Sequence, residues 1–113
     1  MADHIKIRDA EGTWVVRAGG AVLGESAAAL ELTEGDMPFV IYFPRGDIAM
    51  AFLDKSETVT HCPHKGDAQH YDIEIKSGTI RDAAWSYEEP KDGMERIKGY
   101  LAFYAEKVTV EQV

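Results

Sequence analysis

The chain has 113 residues, of which 45% are hydrophobic and 28% are charged. This length and composition predict one globular domain spanning residues 1–113 and exclude a disordered chain. With 20 acidic and 12 basic residues, the net charge is −8. We therefore predict that neither nucleic acid nor an anionic membrane is a partner, because both require a dense basic face.

The cysteine content and the N-terminus bear on the compartment. Cys62 is the single cysteine, so the chain forms no internal disulfide. The N-terminus is polar within three residues, unlike a signal peptide. No segment approaches the roughly 20 apolar residues of a membrane-spanning helix. We expect a soluble, cytoplasmic protein.

Alternating polar and apolar residues dominate the first half of the sequence and favour strands. Residues 4–8 alternate cleanly, which predicts a strand with one buried face. Gly19 and Gly20 separate two apolar stretches and predict a hairpin turn. The continuous apolar run 38–43 is typical of a strand that is buried on both faces.

The second half continues the same pattern. Residues 72–76 and 107–111 alternate, and Ser77-Gly78 predicts a hairpin leading into a strand over residues 79–87. The sequence therefore predicts a mainly β domain. Two antiparallel sheets would pack as an open sandwich, with one or two short helices.

Helical signals are scarce. Residues 26–31 predict a short helix with Ser26 as N-cap. Residues 92–98 predict another, which Gly99 would end. Residues 45–52 are interpreted as a helical turn or an irregular loop.

Residues 60–71 gather more reactive side chains than any other stretch. Cys62 could act as a nucleophile whose pKa is lowered by Lys65 or His64, so Cys62 and Lys65 are the catalytic candidates. Alternatively, Cys62 is a small buried hydrophobe. A metal centre is not predicted, because Cys62, His64 and His70 give three ligands at most, without a second pair elsewhere. No cofactor is predicted.

Charged and aromatic side chains in other segments suggest a binding pocket. Lys65, next to the turn residue Gly66, could hold a carboxylate or phosphate, and Arg45 could grip the same anion. Trp85 and Tyr87 share one face of a predicted strand and could form pocket walls. The alternatives are solvated surface charges and aromatic residues of the core.

Four ordered motifs carry a family resemblance. They are Y-F-P-R at residues 42–45, C-P-H-K-G-D-A at 62–68, D-A-A-W-S-Y-E-E-P at 82–90 and G-Y-L-A-F-Y at 99–104. Together the motifs resemble the bacterial family called domain of unknown function 427. The resemblance implies a β-tent, in which two antiparallel sheets splay apart around a pocket. Related β-tents carry a four-cysteine zinc site, which a chain with one cysteine cannot form.

We therefore predict a small-molecule binding domain for an anionic or aromatic ligand, with a pocket between two sheets. The predicted ligand-binding residues are Tyr42, Arg45, Cys62, Lys65, Gly66, Tyr71, Trp85 and Tyr87. One alternative is an enzyme with Cys62 as nucleophile. Others are the nucleotidyl transfer that some labels of the family suggest, although no phosphate cradle is present, and a homodimeric interaction protein using an exposed strand edge.

Overall fold

The computed structural model describes residues 4–113, which form ten strands and three 3₁₀ turns. The strands are β1 (Ile5–Asp9), β2 (Trp14–Ala18), β3 (Ala21–Ser26), β4 (Leu30–Glu34), β5 (Val40–Tyr42), β6 (Leu53–Cys62), β7 (Gly66–Ile75), β8 (Gly78–Ser86), β9 (Ala102–Phe103) and β10 (Thr109–Gln112). The 3₁₀ turns are Arg45–Asp47, Met50–Phe52 and Glu95–Ile97. No helix in the described residues is long and apolar enough to cross a membrane.

The strands form three antiparallel sheets. Their orders are β1-β4-β5, β10-β2-β3 and β6-β7-β8-β9. The predicted mainly β, antiparallel fold is confirmed, although three sheets replace the predicted two. The two predicted hairpins are also present. In the first, Gly19 and Gly20 adopt the positive φ values (53° and 85°) that the tight turn between β2 and β3 requires.

The predicted helix over residues 26–31 is wrong. Ser26 completes β3, where it pairs with Trp14, and its Oγ accepts a hydrogen bond from the Ala28 amide at 2.9 Å. The serine thus stabilises a turn between two strands instead of capping a helix. The helix predicted over residues 92–98 is reduced to the single turn Glu95–Ile97. The interpretation of residues 45–52 as turns is confirmed.

A backbone bridge joins two of the sheets. The Phe43 amide donates to the Leu101 carbonyl at 2.8 Å, and the Leu101 amide donates to the Phe43 carbonyl at 2.9 Å. Phe43 directly follows β5 and Leu101 directly precedes β9, so β5 of one sheet lies beside β9 of the other. Both residues are fully buried. The two sheets therefore meet along this edge.

Strand register assigns the side chains of the four-stranded sheet to two faces. His70 pairs with Trp85, whereas Tyr71 pairs with Ala84. Because successive side chains of a strand point to opposite faces, His70 and Trp85 share one face, and Tyr71 lies on the other. This division decides which predicted site residues can meet.

Candidate functional site

A cavity of about 200 Å³ lies between the β1-β4-β5 sheet and the four-stranded sheet. We call it the polar chamber. Leu32, Glu34, Val40 and Tyr42 of the first sheet line one side. The other side is lined by Thr60, Ala68, His70 and Trp85 of the second sheet, together with Lys65, Tyr87 and Tyr104. The alternation of each strand explains the lining, since these strand residues are spaced two apart.

An ion pair bridges the two sheets at the polar chamber. The Lys65 Nζ donates to the Glu34 Oε1 at 2.7 Å and lies 5.9 Å from the centre of the Tyr87 ring, within reach of a cation–π interaction. The Lys65 side chain is 11% exposed, against 27% for Glu34. The hydrogen bond from Lys65 holds the pKa of the Glu34 carboxyl below its usual value. The second Glu34 oxygen lies 3.6 Å from the Nε2 of His4.

Tyr42 provides a buried hydroxyl. The indole Nε1 of Trp85 donates to the Tyr42 hydroxyl oxygen at 3.3 Å, and the two rings meet edge to face. Burial raises the pKa of Tyr42, so its hydroxyl stays protonated at neutral pH. Among the side-chain hydrogen bonds of residues 4–113, Tyr42 takes part only as the acceptor from Trp85.

His70 is buried within a stack of aromatic rings. It stacks on Tyr104 at 5.8 Å and on Trp85 at 6.5 Å between ring centres. Its Nδ1 lies 3.2 Å from the Ala68 carbonyl, and its Nε2 lies 2.9 Å from the Tyr104 hydroxyl. Because a carbonyl only accepts, Nδ1 donates to Ala68, and Nε2 shares a hydrogen bond with the Tyr104 hydroxyl. This pair of bonds fixes one wall of the polar chamber.

The structure brings together four of the eight predicted ligand-binding residues. Tyr42, Lys65, Trp85 and Tyr87 all line the polar chamber. Burial also raises the pKa of Tyr87, so a second protonated hydroxyl borders the chamber. These four residues unite an ammonium group, two phenols and an indole around one space.

Arg45 and Tyr71 lie elsewhere. The Arg45 Nη2 donates to the Glu88 Oε2 at 2.9 Å, and its Nε donates to the Gly99 carbonyl at 3.1 Å. Tyr71 also donates to Glu88, and Lys55 lies 3.3 Å from the other Glu88 oxygen. Tyr71 is on the sheet face opposite Trp85. Arg45 therefore does not share an anion with Lys65; it joins chain segments around Glu88.

Cys62 and Gly66 do not line the polar chamber. Cys62 pairs with Gly66 at the turn between β6 and β7, and it packs against the cluster that includes Tyr42 and Tyr87. Gly66 has a φ of 116°, and a Cβ there would lie 3.4 Å from the Glu89 carbonyl oxygen. This position thus combines a left-handed backbone with a close neighbouring segment. Within residues 4–113, no group of three or more His, Cys, Asp or Glu side chains could hold a metal ion.

Among the chamber residues that the sequence analysis does not predict as ligand-binding, Glu34, His70 and Tyr104 contact the predicted residues Lys65 and Trp85. A signal for His70 was available, because the alternation of β7 extends back to Gly66 and places Ala68 and His70 on one face. For Glu34 the only local signal is its position at the end of an alternating strand. Its contact with Lys65 depends on the packing of two sheets.

The geometry can be compared with known proteins. Residues 6–113 match the family described as a domain of unknown function (DUF427). The chain belongs to this family. The resemblance inferred from the four motifs is confirmed over nearly the whole chain. Comparison with curated proteins gave no match.

In this DUF427 domain, the four motif segments contact one another in space. Tyr42 of the first motif bonds to Trp85 of the third. Lys65 of the second lies over Tyr87 of the third. Arg45 bonds to the carbonyl of Gly99, which begins the fourth. The segments that carry the family resemblance therefore contribute to the lining of the polar chamber and to contacts between its two sheets.

Proposed function

We propose that this DUF427 domain binds a small carboxylate with an aromatic body in the polar chamber. The observation that carries the proposal is the Lys65–Glu34 ion pair inside a cavity with aromatic walls. Small-molecule sites combine apolar and aromatic walls with a few placed polar groups. Here the polar groups include the Lys65 ammonium, the Glu34 carboxylate and the protonated phenols of Tyr42 and Tyr87.

Glu34 occupies the place that a ligand carboxylate would take. It is the more exposed partner of the pair, and its second oxygen lies near His4. An incoming carboxylate can therefore bind the Lys65 ammonium while Glu34 turns toward His4 and solvent. Lys65 is held among aromatic residues with 8% of its surface exposed, so it stays in the chamber during this exchange. Tyr42 supplies a further donor for the bound carboxylate.

The walls favour a planar ligand body. His70, Trp85 and Tyr104 form a continuous group of rings on one side of the chamber. Flat rings of a ligand pack well on such a surface, and aromatic pairs contribute about 0.5–1.5 kcal/mol beyond area burial. At about 200 Å³ the chamber has room for a ligand below drug size.

Titration of the protein with benzoate and with benzamide tests the proposal. Calorimetry should detect benzoate but little benzamide, because the amide lacks the charge that Lys65 recognises. Lys65→Met should weaken benzoate roughly tenfold to hundredfold, the value of a charge-assisted hydrogen bond. Glu34→Gln should tighten benzoate, since it removes the charge of the competing carboxylate.

Lys76→Met is the matched control, because Lys76 is exposed near the β7–β8 turn and should leave benzoate affinity unchanged. Equal binding of benzoate and benzamide, or unchanged benzoate affinity in Lys65→Met, would contradict the proposal. Folding of each variant is checked by circular dichroism before the titration.

The other functions inferred from the sequence stay predictions. The nucleophile hypothesis for Cys62 is tested by iodoacetamide labelling of native protein across pH; a thiol unreactive until about pH 9 would rule it out. Light scattering tests the predicted homodimer. A cytoplasmic location, which the lone cysteine favours, is tested by fractionation of cells.

A further inference from the structure

A second cavity of about 440 Å³ adjoins the polar chamber. We call it the apolar chamber. Val40, Trp85 and Tyr104 line both cavities, so the two cavities adjoin at these residues. The remaining lining includes Trp14, Phe39 and Val110, and within the described residues it contains no charged side chain. The polar chamber is lined in part by the charged side chains of Glu34 and Lys65, whereas the apolar chamber is not, although the two share three lining residues.

The lining that the two chambers share is amphipathic. The Trp85 and Tyr104 rings are 4.5 Å apart between centres. Their polar atoms bond to Tyr42 and His70, which line the polar chamber and not the apolar one. The hydrogen-bonding capacity of this shared lining is thus satisfied on the polar side. The apolar chamber is lined by the apolar surfaces of the Trp85 and Tyr104 rings.

Phe39 leaves apolar surface exposed at the apolar chamber. It is 50% exposed, and its ring meets Trp14 edge to face at 6.0 Å between centres. Phe39 lies between β4 and β5, the two strands that supply Glu34 and Tyr42 to the polar chamber. A group entering the apolar chamber would cover this surface while remaining linked to a group near Lys65.

We infer that the ligand is an amphiphile, an aromatic carboxylate whose apolar tail lies in the apolar chamber. This inference rests on the proposed function, because the carboxylate is anchored by Lys65 in the polar chamber. The two chambers adjoin at Val40, Trp85 and Tyr104, and this adjacency supports a single ligand that passes these residues and occupies both. The absence of charge in the second lining identifies the tail as hydrocarbon.

A series of 4-alkylbenzoates, from benzoate to 4-heptylbenzoate, tests the inference by calorimetry. Affinity should rise about fourfold for each added methylene that is buried, until the chamber is full. Phe39→Ser should reduce this rise and leave benzoate itself unaffected, because Phe39 lines the apolar chamber and not the polar chamber. Phe52→Ser is the matched control, since Phe52 is also exposed (40%) and lies in a 3₁₀ turn outside both linings.

A second variant gives an independent readout. Ala105 is exposed and lines the apolar chamber, so Ala105→Trp should fill the cavity without disturbing the core. It should abolish the gain from the alkyl tail and retain benzoate binding. Benzoate binding without any gain along the series would overturn the amphiphile and leave the proposed carboxylate site standing. An equal gain in wild type and Ala105→Trp would also overturn it, and failure of every benzoate to bind would refute both proposals.

Discussion

The burial of the Lys65–Glu34 pair predicts the size of the coupling energy between substitutions at these two positions. Exposed ion pairs contribute about 0.2–1 kcal/mol, whereas removing one partner from a fully buried pair costs about 3–5 kcal/mol. The Lys65–Glu34 pair lies between these limits, with side-chain exposures of 11% and 27% and a separation of 2.7 Å. We therefore expect a coupling energy of about 1–2 kcal/mol between Lys65→Met and Glu34→Gln at pH 7.

The coupling should depend on pH in one direction. The Lys65 hydrogen bond lowers the pKa of Glu34 below 4.5 in the folded protein. A carboxyl with a lowered folded-state pKa contributes its stability above the unfolded-state value and loses it as pH falls through the folded-state value. The coupling should thus be constant at neutral pH and decline as pH falls below 4.5.

Urea unfolding of the wild type, both single variants and the double variant measures this coupling, with tryptophan fluorescence as the signal. Lys76→Met combined with Glu34→Gln is the control cycle, and its effects should add. Additivity of Lys65→Met and Glu34→Gln within about 0.5 kcal/mol at pH 7 would refute the reasoning. A coupling energy that stays unchanged at a pH below the folded-state pKa of Glu34 would also refute it.

Three further predictions concern contacts around the site, each measured by urea unfolding. Arg45→Lys should cost about 1–2 kcal/mol, because lysine lacks the guanidinium fork that reaches Glu88 and a backbone carbonyl together; an unchanged midpoint would contradict this. Gly66→Ala should cost at least about 1 kcal/mol at φ 116°, and a stabilised variant would disprove the strain. Tyr42→Phe should cost about 1 kcal/mol by leaving the Trp85 indole without its acceptor, and an unchanged free energy of unfolding would contradict this.

Much of the fold follows from the sequence because its signals are local. Alternation in residues 4–8 and 72–76 corresponds to parts of β1 and β7, and Gly19-Gly20 forms the expected turn. The helix predicted over residues 26–31 is wrong because that prediction also used only local signals. Serine followed by alanines favours a helix locally, but pairing of Ser26 with Trp14 in the sheet overrides that preference.

The site was predictable only in part, because its charge pairs are distant in sequence. Tyr42, Lys65 and Trp85 were recognised as pocket residues from their chemistry. However, the location of each cation depends on a distant carboxylate. Glu34 binds Lys65, and Glu88 binds Arg45. One sequence contains no local signal for either pairing, so it could not show that the two cations belong to different clusters.

The bridge between Phe43 and Leu101 has a consequence for the order of folding. Its two residues are far apart in the chain, so the bridge closes a long loop. The loss of chain entropy on closing that loop slows the formation of such nonlocal contacts. The hairpins, whose contacts are local, can form first. The space between the sheets is then shaped only when the C-terminal segment has docked. The proposed binding of benzoate should therefore appear as one of the last events of refolding.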